Sequence, residues 1–226
     1  FSRYYSQQAD GLPALAKMKT VVDMKPILVM IDDPNESKKL IKYAAQLAGD
    51  LDTSVHCLYV QNPDTYPLGV TGTTGTAVAE IQKSMEGLAA AAKKKVTQHI
   101  ESLPEDITQG VSFNYSSEIG LKQSYANEYV SDGRAGMVML GNQEKSIFRT
   151  QNSSNMDIIR NAKCPVWIIP HDAEFESFRE IVYATDYQEE DVSTLKKLIE
   201  LNQRYSPNIT ALHITDNLDF EERLRK

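Results

Sequence analysis

Histidine, cysteine and basic charge are all scarce in this chain. Its 226 residues hold 4 histidines and 2 cysteines. None of them falls in HExxH or CxxC, and no GxSxG turn is present, so the usual routes to zinc, thiol and serine chemistry have no footing. His56 adjoins Cys57, but neighbours on a strand face opposite sides and build no Cys–His pair. The remaining histidines, His99, His171 and His213, are widely spaced. Neither a catalytic residue nor a metal ligand is assigned. Lysine and arginine number 24 against 31 acidic residues, leaving a net charge of −7. Nucleic acid is therefore not an expected partner, because phosphate binding is carried by cations that displace counterions. The one dense basic run, Lys93 to Lys95, follows four alanines on a predicted helix and reads as a solvated face. No apolar stretch approaches the roughly 18 residues that cross a bilayer, and no signal-peptide pattern opens the chain. Cys57 and Cys164 lie inside apolar runs, as buried free thiols in a reducing compartment would. The expectation is a cytoplasmic chain without membrane insertion. It opens on Phe1 rather than methionine, which leaves a processed or excised piece of something longer open.

What is present is an alternation of short apolar runs and amphipathic stretches. Residues 1–24 are weakly patterned and are set apart as an N-terminal extension. Ile27 to Ile31 is continuously apolar, typical of a strand covered on both faces in a parallel sheet, and Asp32 and Asp33 end it. Asn35 or Ser37 then caps a helix that carries Leu40, Ile41, Ala44, Ala45, Leu47 and Ala48 to Gly49, and Val55 to Val60 is the next strand. Gly69, Gly72 and Gly75 fit neither GxGxxG nor GxxxxGK[ST], so residues 61–75 are a flexible loop. A helix over 76–103 follows, then a strand carrying Val111, Phe113 and Tyr115, a helix over 121–131, a strand from Met137 to Leu140 stopped at Gly141, a helix over 156–162, and a strand from Val166 to Ile169. This order predicts an open α/β sheet of five mainly parallel strands with helices on both faces, over residues 25–171.

After Pro170 the pattern restarts. Ile27–Val60 laid on Ile181–Ile214, an offset of 154, aligns Asp32 with Asp186 and the second strand with Ile209–Ile214 without a gap. Residues 180–226 are thus expected to be a partial second module, one βαβ unit. Such a unit cannot cover both faces of its sheet. It must dock on the first module, recruit another chain, or belong to a truncated tandem protein.

The stretches ILVMIDD, LYV, MVMLGN, AKCPVWIIP and, in the second copy, YATDY together resemble the universal stress protein family in its tandem form, with residues 26–170 as a full module and 180–214 as the opening of another. The resemblance implies an α/β sandwich on a five-stranded parallel sheet, pairing through its last strand and a role in stress response or regulation. A subset of the family binds ATP through a strand-end aspartate, a valine ending the second strand, and a loop of pattern G-x2-G-x9-G-[ST]. Position by position these are Asp32, Val60 and Gly141. Glu144 then stands where the second glycine belongs, and Asn152 and Ser153 stand for the third glycine and its serine, followed by Ser154. Residues 145–151 make that spacing 7 rather than nine. Met30 and Ile31 replace the proline and threonine that usually precede the aspartate. A carboxylate in the loop repels phosphate, so no cofactor is expected and ATP is disfavoured. The bland role for Asp32 is to cap the following turn, which Asp33 could also do.

The leading expectation is a non-enzymatic protein with a degenerate nucleotide loop, working as a homodimer or by pairing of modules through Val166, Trp167, Ile168 and Ile169. Trp167 suits either an edge contact or a core position. One alternative is an ATP or adenine-nucleotide sensor using Asp32, Val60, Gly141, Asn152, Ser153 and Ser154. A further one is the soluble regulatory domain of a larger protein such as a cation/proton antiporter.

Overall fold

The computed structural model describes residues 24–62, 75–142, 154–186, 188–201 and 205–214, in two units that divide after Ala173. In the first, β1 (Ile27–Ile31) is buried at every position, as an unbroken apolar run demands of a central parallel strand. The chain then enters α1 (Lys38–Leu51), whose buried stripe of Ile41, Ala44, Ala45, Leu47 and Ala48 lies on the sheet. The helix passes Gly49 and closes at Asp52, which takes the left-handed conformation (φ 55°) and donates its N–H to the carbonyls of Ala48 and Gly49. Aspartate tolerates that conformation, so Gly49 was not needed as the stop.

The remaining elements are β2 (Val55–Gln61), α2 (Gly75–Glu101), α3 (Glu105–Thr108), β3 (Phe113–Ile119), α4 (Lys122–Ser131), β4 (Met137–Asn142), α5 (Ser154–Asn161) and β5 (Val166–Pro170). Strand order is β3-β2-β1-β4-β5, and all four pairings are parallel. β1 therefore lies between β2 (Ile27 opposite Val55) and β4 (Ile27 opposite Met137). Helix α1 packs with α2 and α3 over one face, and α4 with α5 over the other. The second face holds the core of Leu28, Met30, Leu58, Val60, Val138 and Leu140 under Ala126, Tyr129 and Ile158. The short α3 has no counterpart in the apolar pattern of the sequence. It begins after Pro104, and Glu105 and Asp106 in its first turn suit the positive end of the helix. β4 runs through Gly141 to Asn142 instead of stopping at the glycine.

The second unit holds β6 (Glu180–Ala184), α6 (Glu189–Leu201) and β7 (Asn208–Leu212), with β6 and β7 parallel. Ile181 lies opposite Ile209, a separation of 209 − 181 = 28. Ile27 and Val55 are separated by 55 − 27 = 28 as well, and adding 154 to each gives Ile181 and Ile209. The register of the pair, and not only its order, is the same in both units.

Candidate functional site

In an open α/β sheet, ligands enter beyond the carboxyl ends of the strands at the point where the strand order reverses. Here that point lies between β1 and β4. The chain leaves β1 through Asp32 and Asp33. Asp33 Oδ1 accepts the Asn35 N–H at 2.8 Å and Asn35 Nδ2 at 3.1 Å, a local turn that accounts for this residue. Ser37 is the N-cap of α1, yet its hydroxyl donates to the Pro34 carbonyl at 3.0 Å and leaves the helix without a side-chain cap. The capping role weighed for Asp32 thus belongs to Asp33.

Asp32 continues the alternation of Leu28 and Met30 and so faces α4 and α5. There its Oδ1 meets Nζ of Lys122, the first residue of α4, and the two side chains are 23% and 20% exposed. That oxygen is otherwise buried without a hydrogen-bond partner among the described residues, so the ammonium is its compensation. Burial pushes the Lys122 ammonium below its ordinary range, while the adjacent carboxylate favours keeping it charged. Val60 sits beside this pair. Ile31 lies opposite Tyr59, which makes Asp32 and Val60 the next neighbours on the same face, and Val60 is buried against Met30.

Gly141 faces α1: a Cβ added there would stand 3.4 Å from Leu40 Cδ2. Its value is space for the helix to close on β4, since its φ is not positive. Met30, Leu40, Gly141 and Ile169 form an apolar floor, and Asp32, Asp33, Glu36, Lys39 and His171 a charged rim, around a cavity of about 40 Å³. His171 Nε2 lies 3.7 Å from Glu36 Oε2. A cavity of that size has room for a few waters among these side chains. The charge at its mouth is mixed: Asp33 and Glu36 oppose a phosphate, Lys39 favours one, and the Asp32 carboxylate is taken up by Lys122.

The structure therefore brings Asp32, Val60 and Gly141 to one end of the sheet. Asn152 and Ser153 lie outside the described residues, as do Glu144, Gly69 and Gly72. Ser154 opens α5, which runs from Ser154 to Asn161 rather than from 156 to 162. Of the expected interface, β5 is an end strand that pairs, among the described residues, with β4. Alternation divides its residues, which do not form one surface: Val166 packs against the core, Ile169 is buried in the cavity floor, Trp167 is half-buried, and Ile168 is exposed.

Three features escaped the sequence. Lys122 is one; its signal was a lysine opening a helix with no cap, against the helix dipole. The second is a chain of contacts at His56, which lies 2.5 Å from Ser116 Oγ; that oxygen is 2.8 Å from the Tyr129 hydroxyl, and Arg134 stacks 3.8 Å over the Tyr129 ring. Burial first, and the Arg134 charge second, push the His56 imidazole down. The third is Asp191 in the second unit. Its Oδ2 accepts the Thr185 hydroxyl at 2.5 Å and the N–H groups of Asp186 and Gln188 at 3.2 and 3.1 Å, and its Oδ1 accepts the Tyr183 hydroxyl at 2.9 Å. The bonds from Thr185 and Tyr183 hold this carboxyl below the usual range. His213 lies past the end of β7, with Nδ1 2.7 Å from the Thr185 carbonyl oxygen.

The model of one family, described as the universal stress protein family, matches residues 24–170. Among solved structures, a universal stress protein from Archaeoglobus fulgidus DSM 4304 is similar at 16% identity and a TM-score of 0.60, over 88% of this chain and 69% of that one. Universal stress protein UspA from Lactobacillus plantarum is similar at 18% identity and a TM-score of 0.51, over 64% of this chain and 97% of that one. No curated protein matches.

Proposed function

The chain belongs to the universal stress protein family, and from that premise we propose that it is a non-enzymatic stress-response protein that works by pairing modules rather than by holding a nucleotide. The observation that carries this reading is that Asp32, at the switch point, is already joined to Lys122, beside a cavity of about 40 Å³ that Asp33 and Glu36 rim together with Lys39 and His171. Pairing is supported by β5 lying at the end of its sheet with Ile168 exposed. In the second unit Val182, Leu212 and Ile214 are exposed as well. Its pairing register, the same as that of β1 and β2, supports reading residues 180–226 as a partial second module. The working compartment we assign is the cytoplasm, on the free Cys57 and Cys164 and on composition.

The test is the mass of the protein in solution by light scattering, alongside calorimetric titration with magnesium and ATP. A dimer that Ile168→Asp converts to monomer, with no heat at millimolar ATP, is the expected outcome. Micromolar ATP binding lost in Asp32→Ala would overturn the reading. It would establish instead a nucleotide sensor, which the meeting of Asp32, Val60 and Gly141 at one sheet end favours.

A further inference from the structure

Nothing local asks for a cation at position 122. The N-cap before it, Leu121, supplies no side-chain bond to α4, and no acidic residue stands in the first turn. The exposed amides of a helix start carry positive potential, which repels an ammonium. A lysine on a surface ordinarily keeps its tip in water, yet this side chain is only 20% exposed. What Lys122 meets is Asp32 Oδ1, an oxygen with no other compensation among the described residues. Asp32 in turn stands at the end of β1, beside the switch point where a sheet of this topology takes its ligands, with Met30 and Val60 as apolar neighbours on the same face.

We propose that Lys122 is a specificity-determining residue of this crevice: a tethered cation that occupies the Asp32 carboxylate and so excludes ligands that would bind it through neutral N–H donors, a nucleobase among them. The proposal rests on the reading of the crevice as closed to nucleotide. A base that displaced Lys122 would leave a largely buried ammonium unpaired, whereas removal of the ammonium leaves a buried carboxylate oxygen in need of a donor.

The experiment is calorimetric titration with adenosine, which lacks the phosphates that the rim carboxylates repel. Wild type, Lys122→Met, Lys122→Arg and the double variant Lys122→Met with Asp32→Asn are compared, and melting curves verify folding. Lys122→Met is expected to bind adenosine at least tenfold more tightly than wild type. Lys122→Arg, which keeps the cation, should match wild type, and the double variant should lose the gain. An affinity in Lys122→Met no higher than in wild type overturns the proposal, as does a gain that survives Asp32→Asn. Lys122→Gln takes the place of Lys122→Met if the latter does not fold. Titration of wild type with magnesium and ATP separates the two ideas. Tight binding there sinks the closed-crevice reading, while the ratio of adenosine affinities in Lys122→Met and wild type still decides the role of Lys122.

Discussion

Among the described residues, His56 and Asp191 tie the fold to pH on the acid side. Burial first, and the Arg134 charge second, place the folded pKa of His56 below its unfolded value of roughly 6.5. Between those two values the unfolded chain binds the proton and the folded one does not, so stability falls as pH drops below roughly 6.5 and levels off beneath the folded pKa. Urea midpoints measured at about pH 7.5 and about pH 5.5 should differ more in wild type than in His56→Gln; equal differences would remove His56 from the account. Asp191 has its pKa lowered by Thr185 and Tyr183. Its contribution is present above the unfolded value of roughly 3.9 and is lost as pH falls from there through the folded value. Protection factors of the β6 and α6 amides, taken relative to the intrinsic exchange rate at each pH, should therefore fall on acidification in wild type, and Asp191→Asn should be less protected already at neutral pH, with a weaker acid dependence. Unchanged protection at neutral pH in Asp191→Asn would count against the carboxylate as the hub of that turn. Neither residue announced its partners in the sequence. Thr185 and Asp191 are six apart in a turn, and His56 and Ser116 are sixty apart and meet only because β2 and β3 pair.

At the scale of elements, unbroken apolar runs marked the central β1 and β4, because a strand covered on both faces has no room for polar residues, while β3 was marked by the alternation of Val111, Phe113 and Tyr115. The ends were less legible. β3 reaches Ile119 through Asn114, Ser116, Ser117 and Glu118, since an edge strand tolerates polar side chains that a central one does not. The helix α1 outran Gly49 because a residue further on could turn left-handed. Glycine positions separate the two uses of that residue. Gly141 lies against Leu40, so Gly141→Val overfills the contact between β4 and α1 and should cost about 1–3 kcal/mol. Gly87 lies inside α2 with nothing within 4 Å of an added Cβ. Gly87→Ala should therefore stabilise by about 0.5–1 kcal/mol through helix propensity alone. Each kcal/mol moves the melting temperature of a chain this size by about 2–4 °C, so thermal denaturation will separate the two substitutions by sign. A stabilised Gly141→Val would show that the contact relaxes freely.

For the whole molecule, the first unit carries its own two-sided core, with helices over both faces of a five-stranded sheet. A fragment of residues 24–173 should keep a cooperative thermal transition and the far-ultraviolet signature of mixed helix and strand. A fragment that behaves as an unfolded chain would refute that independence. The amino-acid order alone determined the α/β class, the five-stranded parallel sheet and the chain order of its strands and helices. Those follow from the period of apolar residues and from turn chemistry, which act over short separations. Only the folded chain decided which residues meet Asp32. Lys122 lies ninety positions away, and it reaches the carboxylate because α4 crosses the face of the sheet toward which β1 turns its last side chains. The pairing of two charges so far apart is set by which layer covers which face, and no local pattern carries that information.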